Sequence, residues 1–300
     1  MRLRVDPARI GAMIVYLNGD YVDAAGAKVS VLDRGFIFGD GVYEVWRVIE
    51  GKLFEHARHD RRLKRGLKAL EIAYADKDVE ALAGVATRLL KDNDMLRGEG
   101  TFYVEITRGA APRTHAYPPA GTRPTVLAMV SKFEVPHAMR EAGAKGVTDI
   151  DVRWLRCDVK TVQLLPNVMS KQKAAAAGAL EAIFIRDGVV TEGTHTSVLG
   201  VKDGTLITHP LGPLILPSVT REVVLEVARE LNVPVSEKPF TKDEMFKLDE
   251  LFVSGTTTDV TPIVEVDGRK IGSGKPGPVS KQLYAGLQAR LYAGAAVAQR

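Results

Sequence analysis

Five dipeptides punctuate this chain: Asn18-Gly19, Glu50-Gly51, Asp187-Gly188, Asp203-Gly204 and Asp267-Gly268. Each lies between short runs rich in Val, Ile, Leu or Phe. A two-residue turn that follows the twist of its strands needs left-handed backbone at its centre, which Asn, Asp and Gly tolerate. Hairpins are expected at all five places. Two fall within 1–55 and three within 180–275, so both halves of the chain are expected to contain antiparallel sheet.

Helical spacing fills the gaps. Leu63, Leu67 and Leu70 recur within 58–74, and Val79, Leu82, Val85, Ala86 and Leu89 within 78–92. Further helices are expected over the Ala-rich 168–180, over 219–231 and over 279–293. Thr241-Lys242-Asp243-Glu244 reads as a capping box opening a short helix. Strands and helices are grouped rather than alternating, which argues for α+β over a doubly wound sheet. The chain has 300 residues, room for two domains at about 150 residues each. Glu134-Val135-Pro136-His137 breaks regular structure after strand-like Thr125–Val130. The expected domains are 1–133 and 146–300, joined by a linker over 134–145, with a fraying tail at Gly294–Arg300.

Composition removes several classes. The chain is 45% hydrophobic and 26% charged, which excludes a disordered chain, a collagen and a small disulfide scaffold. It has no run of about 18 apolar residues of the kind that crosses a membrane. Forty-one basic against 37 acidic residues give +4, which demands no nucleic-acid partner. Cys157 is the single cysteine, so no intrachain disulfide can form; a reducing compartment, the cytoplasm, is expected. Arg2, Arg4 and Arg9 before the apolar run Ile10–Leu17 sketch a signal peptide. Asn18-Gly19-Asp20 interrupts it with a turn, and a first hairpin strand explains the same residues better.

Seven segments could carry chemistry. Arg58, Arg61, Arg62, Lys64, Arg65 and Lys68 crowd one helix; a solvated face around the leucine stripe explains them without nucleic acid. Val31 to Glu44 holds three glycines ahead of a strand running to Ile49, where Tyr43, Val45 and Arg47 share one face, as a pocket wall would. Arg113 and His115 stand two apart in a loop, a guanidinium fork beside an imidazole donor. Lys160 follows Trp154, Leu155 and Val159, neighbours that would desolvate an amine and make it nucleophilic. Glu192 sits at a strand end. Leu216-Pro217-Ser218-Val219-Thr220 opens a helix whose first N–H groups can take an anion. Ser254-Gly255-Thr256-Thr257-Thr258 could ligand a phosphate or form only a polar turn.

Taken in order, these residues resemble the fold-type IV pyridoxal-phosphate enzymes, and within them the D-amino acid aminotransferases. The resemblance rests on Asp33-Arg34-Gly35 and Phe38-Gly39-Asp40-Gly41-Val42-Tyr43-Glu44, on Thr107-Arg108-Gly109 and Pro112-Arg113-Thr114-His115, and on Arg153 to Lys160. Thr191-Glu192-Gly193, Thr220-Arg221 and Thr256-Thr257 complete it. It implies a smaller N-terminal α/β sandwich and a larger C-terminal pseudo-barrel. Lys160 would hold pyridoxal 5'-phosphate as a Schiff base and move the substrate proton. Glu192 would face the pyridine nitrogen, and Leu216 the ring. Arg62, Val219, Thr220, Gly255 and Thr256 would hold the phosphate.

The same resemblance makes Tyr43, Arg113 and His115 a carboxylate trap, with Val45, Arg47 and Thr257 lining the substrate. It implies a homodimer that contributes Arg113 and His115 across the interface, with small amino and keto acids as the only other partners. The implied activity is ping-pong transamination of D-amino acids such as D-alanine with 2-oxoglutarate or pyruvate. A branched-chain L-aminotransferase, an aminodeoxychorismate lyase and an (R)-amine transaminase share the fold and stand as alternatives. Arg47 departs from the Lys often found at its position, and Ser197 from the usual Asn, with His195 nearby. Gly255 replaces a hydroxyl residue.

Overall fold

The computed structural model describes residues 13–134 and 137–293. The start of the signal-peptide outline (Arg2, Arg4, Arg9, Ile10), the Val135-Pro136 break and the Gly294–Arg300 tail lie outside the described residues. The chain divides into two compact units. One runs to Glu134 and includes Val159–Gln163; the other holds Val135–Asp158 and continues from Leu164.

The first unit contains β1 (Ile14–Leu17), β2 (Asp20–Asp23), α1 (Arg34–Phe38), β3 (Gly41–Ile49), β4 (Lys52–Leu53), α2 (His56–Ala69), α3 (Asp76–Asp92), β5 (Glu99–Thr107) and β6 (Thr125–Lys132). Its six strands form one antiparallel sheet in the order β2-β1-β6-β5-β3-β4. Leu63 and Leu67 of α2 and Leu82 and Leu89 of α3 bury the leucine stripes against Val42, Trp46, Phe102 and Val104. The Trp46 and Phe102 rings lie 5.2 Å apart. Each such fully buried side chain contributes about 1.5–3 kcal/mol. The basic residues of α2 are left on its other side, with Arg62 and the buried His59 as exceptions.

The second unit contains α4 (His137–Ala142), β7 (Ala144–Ile150), α5 (Leu165–Ala176), β8 (Glu181–Arg186), β9 (Val189–Gly193), β10 (Ser197–Lys202), β11 (Thr205–Thr208), α6 (Val219–Glu230), β12 (Val235–Ser236), α7 (Lys242–Met245), β13 (Glu250–Gly255), β14 (Asp259–Val266), β15 (Arg269–Lys270) and α8 (Pro278–Ala293). Its sheet runs β12-β11-β10-β13-β14-β7-β8-β9, with β15 on β14. The sheet curls: β9, last in that order, returns to β10 through a turn closed by Gly193 N–H donating to Thr196 O at 2.7 Å. Its core joins Ile183, Val190, Val198, Val253 and Ile263 to Phe240 and Met245.

All five hairpins form, with both turn residues left-handed: Asn18 at φ 54° and Gly19 at 111°, Asp203 at 48° and Gly204 at 74°. The capping box at Thr241 is made as expected. The second sheet differs from a purely antiparallel one, since β7 pairs parallel with both β8 and β14, and β11 with β12. The helix expected over 168–180 starts earlier, at Leu165, with Pro166 in its first turn, and left-handed Gly178 lies beyond its end. The glycine-rich approach to β3 contains a short helix, α1. Asp33 caps it by accepting from Gly35 N–H at 2.8 Å, and left-handed Gly39 ends it.

Candidate active site

Lys160 is placed by backbone pairing with β3. Tyr43 N–H donates to Lys160 O at 3.0 Å, and Val162 N–H to Gly41 O at 3.1 Å. This fixes the lysine beside a tyrosine 117 positions earlier. Its Nζ stands 4.0 Å from the centre of the Tyr43 ring, a cation–π seat rather than a carboxylate pair. Tyr43 rests on Tyr103, ring centres 5.7 Å apart. Burial pushes the Tyr103 phenol well up, helped by Glu105, which accepts its hydroxyl at 2.7 Å. Tyr103 therefore stays neutral. Val45 follows Tyr43 on the same face of β3. Arg47 is on that face too, buried, paired with Glu99 and stacked 3.9 Å from the centre of the Phe133 ring.

The opposite face of β3 carries Glu44, wholly buried beneath α2. Arg62 donates to it through Nε at 2.7 Å and Nη2 at 2.5 Å, and His59 Nδ1 lies 3.0 Å away. Burial alone would raise this carboxyl, but Arg62 and His59 outweigh it and hold Glu44 far below the usual carboxylate range. Burial pushes His59 down, against the pull of Glu44. Two donors of Arg62 are thus spent on fixing its guanidinium, which gives a rigid cation at a set height on the helix.

Arg113 and His115 lie in the exposed loop after β5. Both meet Phe38: the His115 ring centre is 5.6 Å from that of Phe38, and the Arg113 guanidinium 5.4 Å. Arg34, buried, bonds Asp40 through Nε at 2.8 Å and the Thr114 carbonyl through Nη1 at 2.7 Å. Arg108 grips the same Asp40 at 2.7 and 3.0 Å.

In the second unit Glu192 lies near the end of β9. Arg153 Nη1 bonds its Oε1, and Leu216 N–H donates to Oε2 at 2.9 Å. Burial pushes the Glu192 carboxyl up, while Arg153 and the Leu216 N–H pull against that rise. Arg153 is itself held by Asp151 at 2.8 and 2.9 Å. Burial would raise Asp151, yet Arg153 and Arg186 bring it down to about 2. Glu192 therefore has one oxygen on Arg153, a cation shared with Asp151, and the other on the Leu216 N–H.

Leu216 leads into α6, whose cap Ser218 accepts from Arg221 N–H at 3.2 Å. The first-turn N–H groups of Val219 and Thr220 have no intrahelical acceptor and form the positive end of a twelve-residue helix. Gly255 ends β13, with the His195 carbonyl and Thr196 methyl 3.4 and 3.6 Å from where a side chain would begin. Thr256 and Thr257 follow, half-buried, and the Thr257 carbonyl accepts from Arg140 at 3.5 Å.

The first unit thus brings Lys160 to Tyr43 and anchors Arg62 on Glu44, and it gathers Arg113 and His115 on Phe38. The second joins Glu192 to Leu216 and sets the 193–196 turn against Gly255. Sequence reasoning missed His59, Arg34, Asp151 and the partnership of Arg153 with Glu192. A signal existed for His59: it stands three residues before Arg62, so both fall on one helix face, opposite a strand glutamate one residue out of phase with Tyr43.

Comparison with known proteins gives the family. The family described as amino-transferase class IV matches residues 41–266. The chain is 40% identical over 275 residues to the D-alanine aminotransferase of Staphylococcus haemolyticus, covering 91% of this chain and 96% of that one. It is 42% identical over 276 residues to that of Bacillus licheniformis, covering 92% and 96%. Among solved structures, it is similar to the branched-chain aminotransferase of Thermoproteus uzoniensis with norvaline, at 28% identity and TM-score 0.81 over 93% of this chain and 94% of that one. The T.th. branched-chain aminotransferase with pyridoxamine 5'-phosphate gives 26% and 0.82 over the same shares. With its matched region spanning most of both units, this chain belongs to the class IV aminotransferase family.

Proposed function

We propose that this protein moves the amino group of a D-amino acid, D-alanine among them, to a 2-keto acid such as 2-oxoglutarate or pyruvate. It would do so in the cytoplasm, as a homodimer, with pyridoxal 5'-phosphate held by Lys160. The observation that carries the reading is the seat of Lys160: an amine bound through its own backbone to Tyr43 N–H and set 4.0 Å from that ring's centre. D-specificity draws on the D-alanine aminotransferases that are about 40% identical.

The donor set fits such a cofactor. In the first unit Arg62, and in the second the N–H groups of Val219 and Thr220 with Gly255 and Thr256, are each of a kind that would donate to a phosphate. Glu192 suits a basic ring nitrogen, and Leu216 an apolar ring face. Bound there, the cofactor supplies an aldehyde carbon that carries the amino group and a ring that accepts the electrons of the Cα–H bond. Lys160 Nζ would take the proton from the substrate Cα and give it, on the same face, to the carbon that carries the amino group. Glu192, as an ionised carboxylate, would face the ring nitrogen and keep it protonated, so that the ring can accept those electrons. Tyr43, Arg113 and His115 orient the substrate carboxylate. Val45, on the Tyr43 face of β3, would line the space for its side chain, with Arg47 held behind it by Glu99 and Phe133.

A carboxylate held on one side and a Cα–H aimed at Lys160 leave one enantiomer able to react. Exposed Val31, Leu32 and Phe36, beside the loop that carries Arg113, favour self-association that presents Arg113 and His115 to a second copy. The test is a visible spectrum of the purified protein, then D-alanine and L-leucine in turn with 2-oxoglutarate. A yellow chromophore bleached by D-alanine and lost in Lys160→Ala is expected. Turnover of L-leucine alone would refute the D-assignment in favour of a branched-chain L-aminotransferase.

A further inference from the structure

We infer that Arg34 and Phe38 are positioning residues that hold the substrate-carboxylate loop in its working shape, an inference that rests on Arg113 and His115 being the carboxylate trap. Those two side chains sit on an exposed loop with no regular structure. A loop left free pays ordering entropy each time it binds. This one is tied at four levels, all within the first unit. At its base, Arg34 N–H donates to Gly109 O at 2.9 Å and Ala111 N–H to Leu32 O at 3.2 Å. At its tip, Arg34 Nη1 bonds Thr114 O at 2.7 Å and Ala116 O at 3.4 Å. Thr114 and Ala116 alternate with Arg113 and His115, so pinning their carbonyls sets the direction of the two functional side chains.

The third tie is the ring of Phe38. Arg34, Arg113 and His115 all gather on it, at 4.7, 5.4 and 5.6 Å between centres. A π-face attracts the two guanidinium groups and packs the imidazole. The fourth is Arg108, which stacks 3.6 Å from the centre of the Tyr117 ring and anchors the node to the end of α2 through Leu70 O at 2.6 Å and Glu71 O at 2.9 Å.

Asp40 between Arg34 and Arg108 removes one of their two charges. Burial would raise its carboxyl, but the two guanidinium groups outweigh this and keep it ionised. Only a planar fork can reach Asp40 and two carbonyls at once; the single ammonium of a lysine cannot.

The experiment is Arg34→Lys and Phe38→Leu in the holoenzyme, each alone and combined with Arg113→Ala. KM and kcat are read for D-alanine and 2-oxoglutarate, with the visible spectrum as a check on the cofactor. Arg34→Lys is expected to raise both KM values about tenfold, the loss of one charge-assisted hydrogen bond's worth of order. Its kcat should stay within about twofold of the unmodified protein and its spectrum unchanged. In the Arg113→Ala background the same substitution should raise KM clearly less than tenfold, the remainder passing through His115. An equal effect in both backgrounds, or an unchanged KM, overturns the inference.

If Arg34→Lys does not fold, Phe38→Leu is judged by the same criteria. Amide exchange over 113–117 is measured in parallel, and a substitution that does not speed it overturns the inference as well. Absence of D-alanine turnover in the unmodified protein refutes the proposed function instead, and the exchange result then decides whether the loop is held by Arg34.

Discussion

Glu181→Gln removes a heavily partnered carboxylate of the second unit. Glu181 opens β8 and is fully buried. It accepts from Thr194 Oγ1, from Thr196 Oγ1 at 2.8 Å and from Ala182 N–H at 3.0 Å, with His195 Nδ1 at 3.1 Å and Lys171 Nζ at 3.9 Å. Three of these partners lie on the 194–196 turn, two to four residues past Glu192, so the carboxylate shapes the segment that carries the candidate cofactor acid. Burial would raise Glu181, but His195, Lys171 and Thr194 outweigh it and bring it from an ordinary 4.5 down to about 2. At about 1.4 kcal/mol per tenfold in acidity, that difference is about 3 kcal/mol of folding free energy. A folded value below the unfolded one stabilises the protein above pH 4.5, and the contribution is lost as pH falls from 4.5 through 2. The glutamine variant should therefore be about 3 kcal/mol less stable at pH 7, or about 6–12 °C lower in Tm. Urea unfolding at matched cofactor loading, at pH 7 and at points below 4.5, reads both effects. A gap under about 1 kcal/mol at pH 7, or one that does not narrow in acid, refutes the reasoning.

Three further outcomes are expected. Arg113→Ala should raise KM for D-alanine and for the keto acid by the equivalent of about 1.5–3 kcal/mol, with an unchanged visible spectrum, as measured by steady-state kinetics. Arg153→Met leaves Glu192 and Asp151 without their shared guanidinium, so chemical denaturation should show a loss of about 3–5 kcal/mol. Gly109→Ala places a side chain at φ 92° against the Arg123 carbonyl; a loss of about 1–3 kcal/mol in the same assay is expected.

The hairpins were legible because their cause is local: an Asn-Gly or Asp-Gly pair accepts left-handed backbone wherever it stands, and no distant contact is needed. The same holds for the capping box at Thr241 and for the leucine stripes of α2 and α3. The helix α1 was not legible. Five residues with a glycine second give no period, and the helix exists because Asp33 caps it and Arg34 is bonded 80 positions away to Thr114. The parallel pairing of β7 with β8 and β14 was equally hidden, since the intervening chain carries no sign of which edge a strand joins. At the site, residue types could be named but not their partners. Glu192 reads as a strand-end acid, and only the fold brings Arg153 to it across 39 positions. Arg47 reads as a pocket residue from its place on the strand, while its guanidinium is engaged by Glu99 and Phe133.

What unites the first unit's site is the register of a single strand. β3 pairs with β5 without a break from Gly41 opposite Thr107 to Ile49 opposite Glu99. That fixed alternation puts Tyr43, Val45 and Arg47 on one face and Glu44 on the other. Glu44 then sets Arg62 on α2, while Tyr43, through its N–H and its ring, sets Lys160. A slip of one residue would exchange the faces, burying the tyrosine under α2 and turning Glu44 toward the lysine. The lysine would then meet a carboxylate in place of the Tyr43 ring that it now sits on. The long unbroken pairing of β3 therefore keeps the acid that positions Arg62 away from the amine beside Tyr43.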